Sequence, residues 1–142
     1  MLVQVLPMQV PAFWKHIQFA AVKSDDIANQ YVEKYSINLL HDLLSGDKSC
    51  LYAEEGGEIT FIVIFSISVE PLTEIKYLLV NNIYSFKHHD DELWQQVCSD
   101  IMAIAKKESC GALGVDTVNP RAIQVTNLLG FKLFTQRYYK FI

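Results

Sequence analysis

Clusters of lysine and arginine are missing from this chain, and that absence is the first constraint on it. Lys and Arg make up only 12 of its 142 residues against 16 Asp and Glu, for a formal net charge of -4. Phosphate backbones are held by basic faces, so a nucleic-acid partner is not expected. Long apolar runs are missing too. The longest, Ile59 to Val69, falls well short of the roughly 20 residues that cross a bilayer, so no membrane partner is expected. The start, MLVQVLPMQV, has no basic segment before an apolar one and no cleavage pattern, and it does not read as a signal peptide. Cysteine is scarce and odd in number. Cys50, Cys98 and Cys110 lack metal-ligand spacing and read as reduced, mostly buried thiols of a cytoplasmic protein. His88 and His89 are adjacent, with only His16 and His41 elsewhere, which is not a metal-ligand set.

What is present is globular. Hydrophobic residues make up 51% and charged ones 20%, far from the disordered class. The length suits one domain over residues 1–142 with a substantial core.

Leu2 to Leu6 reads as a strand ended by Pro7. Pro11 opens a helix with Phe13, Ile17, Ala20 and Ala21 on one face. Asp25 and Asp26 are expected to start a second helix, where the macrodipole favours acids. Its stripe is Ile27, Tyr31, Tyr35, Leu39 and Leu43, and Gly46 stops it. Cys50 to Glu54 is a strand, Glu55-Gly56-Gly57-Glu58 a hairpin turn. Ile59 to Val69 is a returning strand apolar enough to be covered on both faces. Glu74 to Tyr84 is a further strand, and Asp91 to Lys107 the longest helix, with Leu93, Val97, Ile101 and Ile104 on one face. Lys132 to Ile142 is expected to add one or two final strands.

Between the long helix and those strands lies AKKESCGALGVDTVNPRAIQVTNLLGF, Ala105 to Phe131. It reads as a helix end, a short strand at Ala112–Asp116, and a helix capped by Asn119 with Pro120 at its first position. Ala122, Val125 and Leu129 share a face of that helix, and Gly130 supplies the left-handed stop. The pattern N-x-x-A-x-x-V/L-x-x-x-L-G-F after a small strand resembles the second half of the GNAT N-acetyltransferase superfamily. The element order β-α-α-β-β-β-α-β-α-β agrees with it. The resemblance implies an α/β fold with a central twisted mixed sheet, helices on both faces, and a V-shaped opening between the fourth and fifth strands that takes the acetyl-CoA pantetheine.

The resemblance also implies two working parts, and this sequence departs from both. A glycine-rich loop should precede the long helix so that backbone N–H groups meet a pyrophosphate. Here the segment is Ser85-Phe86-Lys87-His88-His89-Asp90-Asp91-Glu92, with no glycine and three acids. Those acids stabilise the helix start themselves and repel a polyanion. A tyrosine should protonate the departing thiolate, and Thr126 stands in its place. The candidate catalytic residues are therefore Glu74, Thr126 and Tyr138, with Glu70, Asp116 and Tyr139 as lesser alternatives. The carboxylates read first as solvated strand-end residues, because acids are rarely buried unpaired. The candidate cofactor-contacting residues are Asn81, Asn82, Lys87, His88 and Asn119. Asn81 and Asn82 lie at the mouth of the implied V.

The expected function is a binding, structural or assembly protein on this fold, with no cofactor and a protein partner, self-association into a homodimer included. The alternative is an N-acyltransferase with an atypical donor site, dependent on acetyl-CoA. A small-ligand sensor using the cleft is a third reading. The ending of the second helix at Leu40, Leu43 and Gly46, the Ile75-Lys76-Tyr77-Leu78 strand and the glycine-free loop resemble small GNAT-like proteins of tailed bacteriophages, of the internal virion type. That likeness implies a host-cytoplasm or virion location.

Overall fold

The computed structural model describes residues 1–88 and 90–142; His89, half of the adjacent histidine pair, lies outside the described residues. The elements are β1 (Val3–Val5), α1 (Val10–Ser24), α2 (Val32–Ser45), β2 (Ser49–Glu55), β3 (Glu58–Val69), β4 (Lys76–Ser85), α3 (Asp91–Lys107), β5 (Ala112–Val115) and α4 (Pro120–Leu128). The five strands form one sheet in the order β1-β2-β3-β4-β5. The first three pairings are antiparallel and β4–β5 is parallel.

The hairpin between β2 and β3 follows from its glycines. Gly56 and Gly57 have φ of 60° and 82°, the pair of left-handed conformations a tight two-residue turn needs and glycine adopts without steric cost. β3 is the doubly covered strand the sequence predicts, with Phe61, Ile62, Val63, Ile64 and Phe65 all buried. Ile62 and Ile64 pack with Ile17, Ala20 and Ala21 of α1 and Leu39 and Leu43 of α2. Phe61, Val63 and Phe65 pack on the other face with Val97, Ile101 and Ala105 of α3. The sheet is thus sandwiched between two helix layers, each with its own core, as expected of an α/β domain.

Two expected elements differ. Asp25 and Asp26 end α1 rather than begin α2. The Asp25 amide donates to Ala21 O at 3.1 Å, and Asp26 takes a left-handed φ of 50°. Burial of Ala20, Ala21 and Ser24 carries α1 to that point. The Tyr35 hydroxyl then donates to Asp25 Oδ2 at 2.7 Å, which compensates an acid at the unfavourable end of a helix dipole. The second difference is the final strand. Residues 132–142 form no strand, and every one of them is exposed. Aromatic and branched side chains favour a strand chiefly by fitting a pleated, half-buried surface, and this segment has none beneath it.

Candidate functional site

The site begins where β4 leaves β5. Their pairing runs from Tyr77↔Ala112 to Val80↔Val115, and a last bond joins Asp116 N to Val80 O at 2.9 Å. β4 continues to Ser85 with, among the described residues, only β3 beside it. The two strands therefore part at Val80, opening a V. The register explains the parting. Consecutive β3 residues Ile64 and Phe65 pair with Asn82 and Val80, so Asn81 is one extra residue, a bulge that bends its strand and disrupts the ladder. The Asn81 Oδ1 atom is buried and has no hydrogen-bond partner among the described residues. Such an acceptor costs roughly 1–3 kcal/mol in desolvation.

The bulge also sends Asn82 to the opposite face. Its Nδ2 donates to Ser24 Oγ at 2.9 Å and Tyr35 Oη at 3.2 Å, under α1 and α2. Of the two asparagines expected at the mouth, Asn81 lies at the V, while Asn82 is a buried tie between β4 and the helices. Burial, and then the neighbouring Asp25, raise the Tyr35 hydroxyl pKa well above its ordinary value; the Asn82 hydrogen bond opposes this.

Between α3, α4 and the β4–β5 junction lies a small apolar cavity lined by Val80, Ile83, Trp94, Ile101, Val125 and Phe131, among others. Among the described residues, Cys98 and Thr126 are its only side chains with a polar or sulfur atom besides the indole. Burial raises the Cys98 thiol above its ordinary value, and the Thr126 hydroxyl donates to Ile123 O at 2.8 Å. Thr126 thus lines this cavity from α4, with its proton engaged in its own helix.

At the start of α3, Asp90 is the N-cap and its Oδ1 accepts from Leu93 N at 2.9 Å. Asp91 and Glu92 follow in the first turn. Lys87, the loop's cation, is paired with Glu55 Oε2 at 2.6 Å. His88 is exposed in a shallow polar depression shared with Glu55, Asp90, Glu92 and Gln96. Arg121 Nη2 reaches Asp91 Oδ1 at 3.3 Å, linking the starts of α3 and α4. Asn119 caps α4 as predicted, accepting from Arg121 N at 2.8 Å.

The remaining expected residues lie elsewhere. Glu74 sits ahead of β4 at the β3–β4 turn with φ of 60°, away from the end of β4 where the V opens. Glu70 closes the same turn, accepting from Thr73 N at 2.7 Å and Thr73 Oγ1 at 2.8 Å; these bonds hold its carboxyl below the ordinary value. Tyr138 is exposed in the tail and its hydroxyl donates to Gln136 Oε1 at 2.8 Å. Sequence reading missed Glu55 and Arg121, whose partners lie 32 and 30 positions away. It also missed the Asn82–Tyr35–Asp25 chain, for which the parity break at Asn81 leaves no local signal.

The fold as a whole has counterparts among solved structures. The chain superposes on a ribosomal-protein-alanine N-acetyltransferase from Brucella melitensis with a TM-score of 0.73 at 16% identity, covering 100% of this chain and 99% of that one. It has the acetyltransferase fold. An aminoglycoside N-acetyltransferase solved with CoA matches with a TM-score of 0.71 at 12% identity, over 100% of this chain and 93% of that one. A predicted acetyltransferase from Clostridium acetobutylicum, solved with acetyl-CoA, matches at 0.69 and 11% identity, over 100% and 95%. No family model matches the sequence, and no curated protein does. With identities this low, the likeness is one of fold.

Proposed function

We propose that this protein keeps the acetyltransferase fold without its coenzyme chemistry and works as a binding or assembly protein. The observation that carries this reading is the Asp90–Leu93 hydrogen bond of 2.9 Å. A pyrophosphate at a helix start needs free first-turn N–H groups and an uncrowded backbone. Here a carboxylate of the chain already holds one of those groups, and two more acids stand in the same turn. The residues at the start of α3 do not fit a pyrophosphate. Lys87 offsets little, because it is already paired with Glu55. A proton donor for a departing thiolate is also wanting, since the Thr126 hydroxyl is bonded to Ile123 O and is a far weaker acid than a phenol.

The resemblance of Leu40, Leu43, Gly46 and residues 75–78 to small tailed-phage proteins supports a virion setting for this role, with a protein partner.

Calorimetric titration with acetyl-CoA at low salt, where screening is weakest, tests the reading. Blank-level heats are expected. A low-micromolar dissociation constant, or acetyl transfer to an amine above background, overturns it. Thermal unfolding gives an independent readout, since ligand at 100 times Kd adds about 2.7 kcal/mol of stability.

One observation favours the second reading, an acyltransferase with an atypical donor site. The buried, unpartnered Asn81 Oδ1 at the V suits an amide N–H of an inserted acyl carrier. Asn81→Ala would then weaken binding of an acyl-pantetheine lacking the nucleotide. On the main reading there is no such binding to weaken.

A further inference from the structure

A helix that packs on one layer needs one apolar stripe, and α2 carries two. The first, Leu39 and Leu43 with Ser36, is buried, its two leucines in the core shared with α1 and β3. The second, Ile37, Leu40 and Leu44, repeats that spacing one residue later, so it is turned by about 100° around the axis. Leu40 is half-buried, but Ile37 is 60% exposed and Leu44 48%. The turn Pro7–Gln9 packs against the same helix and adds Met8, 84% exposed.

Charge identifies what covers this face. Glu33 and Lys34 stand at the start of α2, and Asp47 and Lys48 follow its stop at Gly46. Glu33, Lys34 and Asp47 are exposed, and Lys48 lies 3.7 Å from Asp42 of its own chain. Both ends therefore read acid then base along the chain. Let a second α2 lie antiparallel, with Ile37 of each copy opposite Leu44 of the other. Lys34 then falls at the level of Asp47, and Glu33 at the level of Lys48. A parallel pair in register would set like charge against like. The antiparallel pair also brings the positive end of each helix dipole beside the negative end of the other.

We propose that the Ile37-Leu40-Leu44 face of α2 is a homodimer interface, in which two copies pair these helices antiparallel about a two-fold axis. One patch serves both subunits, as such an axis requires. At 14 residues the helix is about 21 Å long, and a contact of that length falls below the roughly 1,600 Å² of a standard interface. A weak dimer is the expectation, with Kd in the micromolar range. The inference stands whether or not acetyl-CoA binds.

Sedimentation equilibrium of the full chain at low salt tests it, with variants confined to exposed side chains. The wild type is expected to dimerise, and Ile37→Glu to dimerise at least about tenfold more weakly. Lys34→Glu and Asp47→Lys should each weaken the dimer several-fold. The double variant Lys34→Glu with Asp47→Lys restores opposite charges across the axis and should recover most of the loss. Retained circular dichroism in every variant separates lost pairing from lost folding. A chain that stays monomeric at every concentration overturns the proposal and leaves the face to a different protein. So does a dimer indifferent to Ile37→Glu, which would use another surface. A double variant no tighter than the single ones overturns it too, because the antiparallel register is part of the claim.

Discussion

The Asp90 carboxylate accepts a hydrogen bond from the Leu93 amide at 2.9 Å, so α3 starts with its own anion seated at its positive end. The bond fixes the helix and fills the position an outside anion would take. Asp90→Ala is expected to cost roughly 0.5–2 kcal/mol in urea denaturation. Asp90→Asn, which caps about as well, should cost far less. Equal losses for the two would mean that charge, and not the cap, stabilises the helix.

The apolar face of α3 gives a second prediction. Ile101 is 3% exposed in the core against β3, and Lys106 faces solvent. Ile101→Ala should lose on the order of 2–5 kcal/mol through lost burial and a residual cavity. Lys106→Ala should stay within about 0.5 kcal/mol. Denaturation midpoints that coincide would reject the facing of the helix.

These two predictions rest on features legible in the sequence, and the contrast with the rest is physical. The buried stripe of α3, Val97, Ile101 and Ala105, repeats at helical spacing, and Asp90 stands three residues before the amide it caps, so both are local patterns. The glycine turn at Gly56-Gly57 and the caps at Gly46 and Gly130 are local too. Asn82 is different. Strand alternation carries it to the same face as Val80, and only the extra residue Asn81 turns it towards α1. A bulge is set by pairing between strands, which no single segment encodes. The tail failed in the opposite direction. Its strand-forming residues are real, but a strand exists only with a partner; the bond from the Thr126 hydroxyl to Ile123 O is likewise a matter of conformation that residue type alone does not give.

Asn82 gives a third prediction. It is 2% exposed, and its Nδ2 serves both Ser24 Oγ and Tyr35 Oη. Asn82→Ala strands those acceptors in a buried setting, at a cost of about 1–3 kcal/mol. Because the groups share one network, Asn82→Ala and Ser24→Ala should be non-additive, with a coupling of roughly 0.5–3 kcal/mol. A double-mutant cycle by chemical denaturation measures it. Simple additivity would show that the two residues act separately.

The last prediction concerns alkaline pH. Cys50 of β2 is buried in the core that faces α1 and α2, and burial pushes its thiol up from 9.0 to about 12. Between those values the folded chain keeps a proton that the unfolded chain has released. Stability must then fall as pH rises, by up to about 1.4 kcal/mol per pH unit for one group. Tyr35 acts in the same direction, because burial and then Asp25 also raise its hydroxyl above 10.0. The stabilising effect of both groups is complete below about pH 9 and is lost above it. Urea midpoints collected from about pH 8 to about pH 11 should decline for the wild type. Cys50→Ala also loses packing at every pH, so its absolute stability decides nothing. The slope decides: it should be shallower in Cys50→Ala across the lower part of the alkaline range, and Tyr35→Phe should flatten the upper part. An unchanged slope in Cys50→Ala would mean that the thiol ionises in the folded protein as readily as in the unfolded one, and that the space around Cys50 admits water.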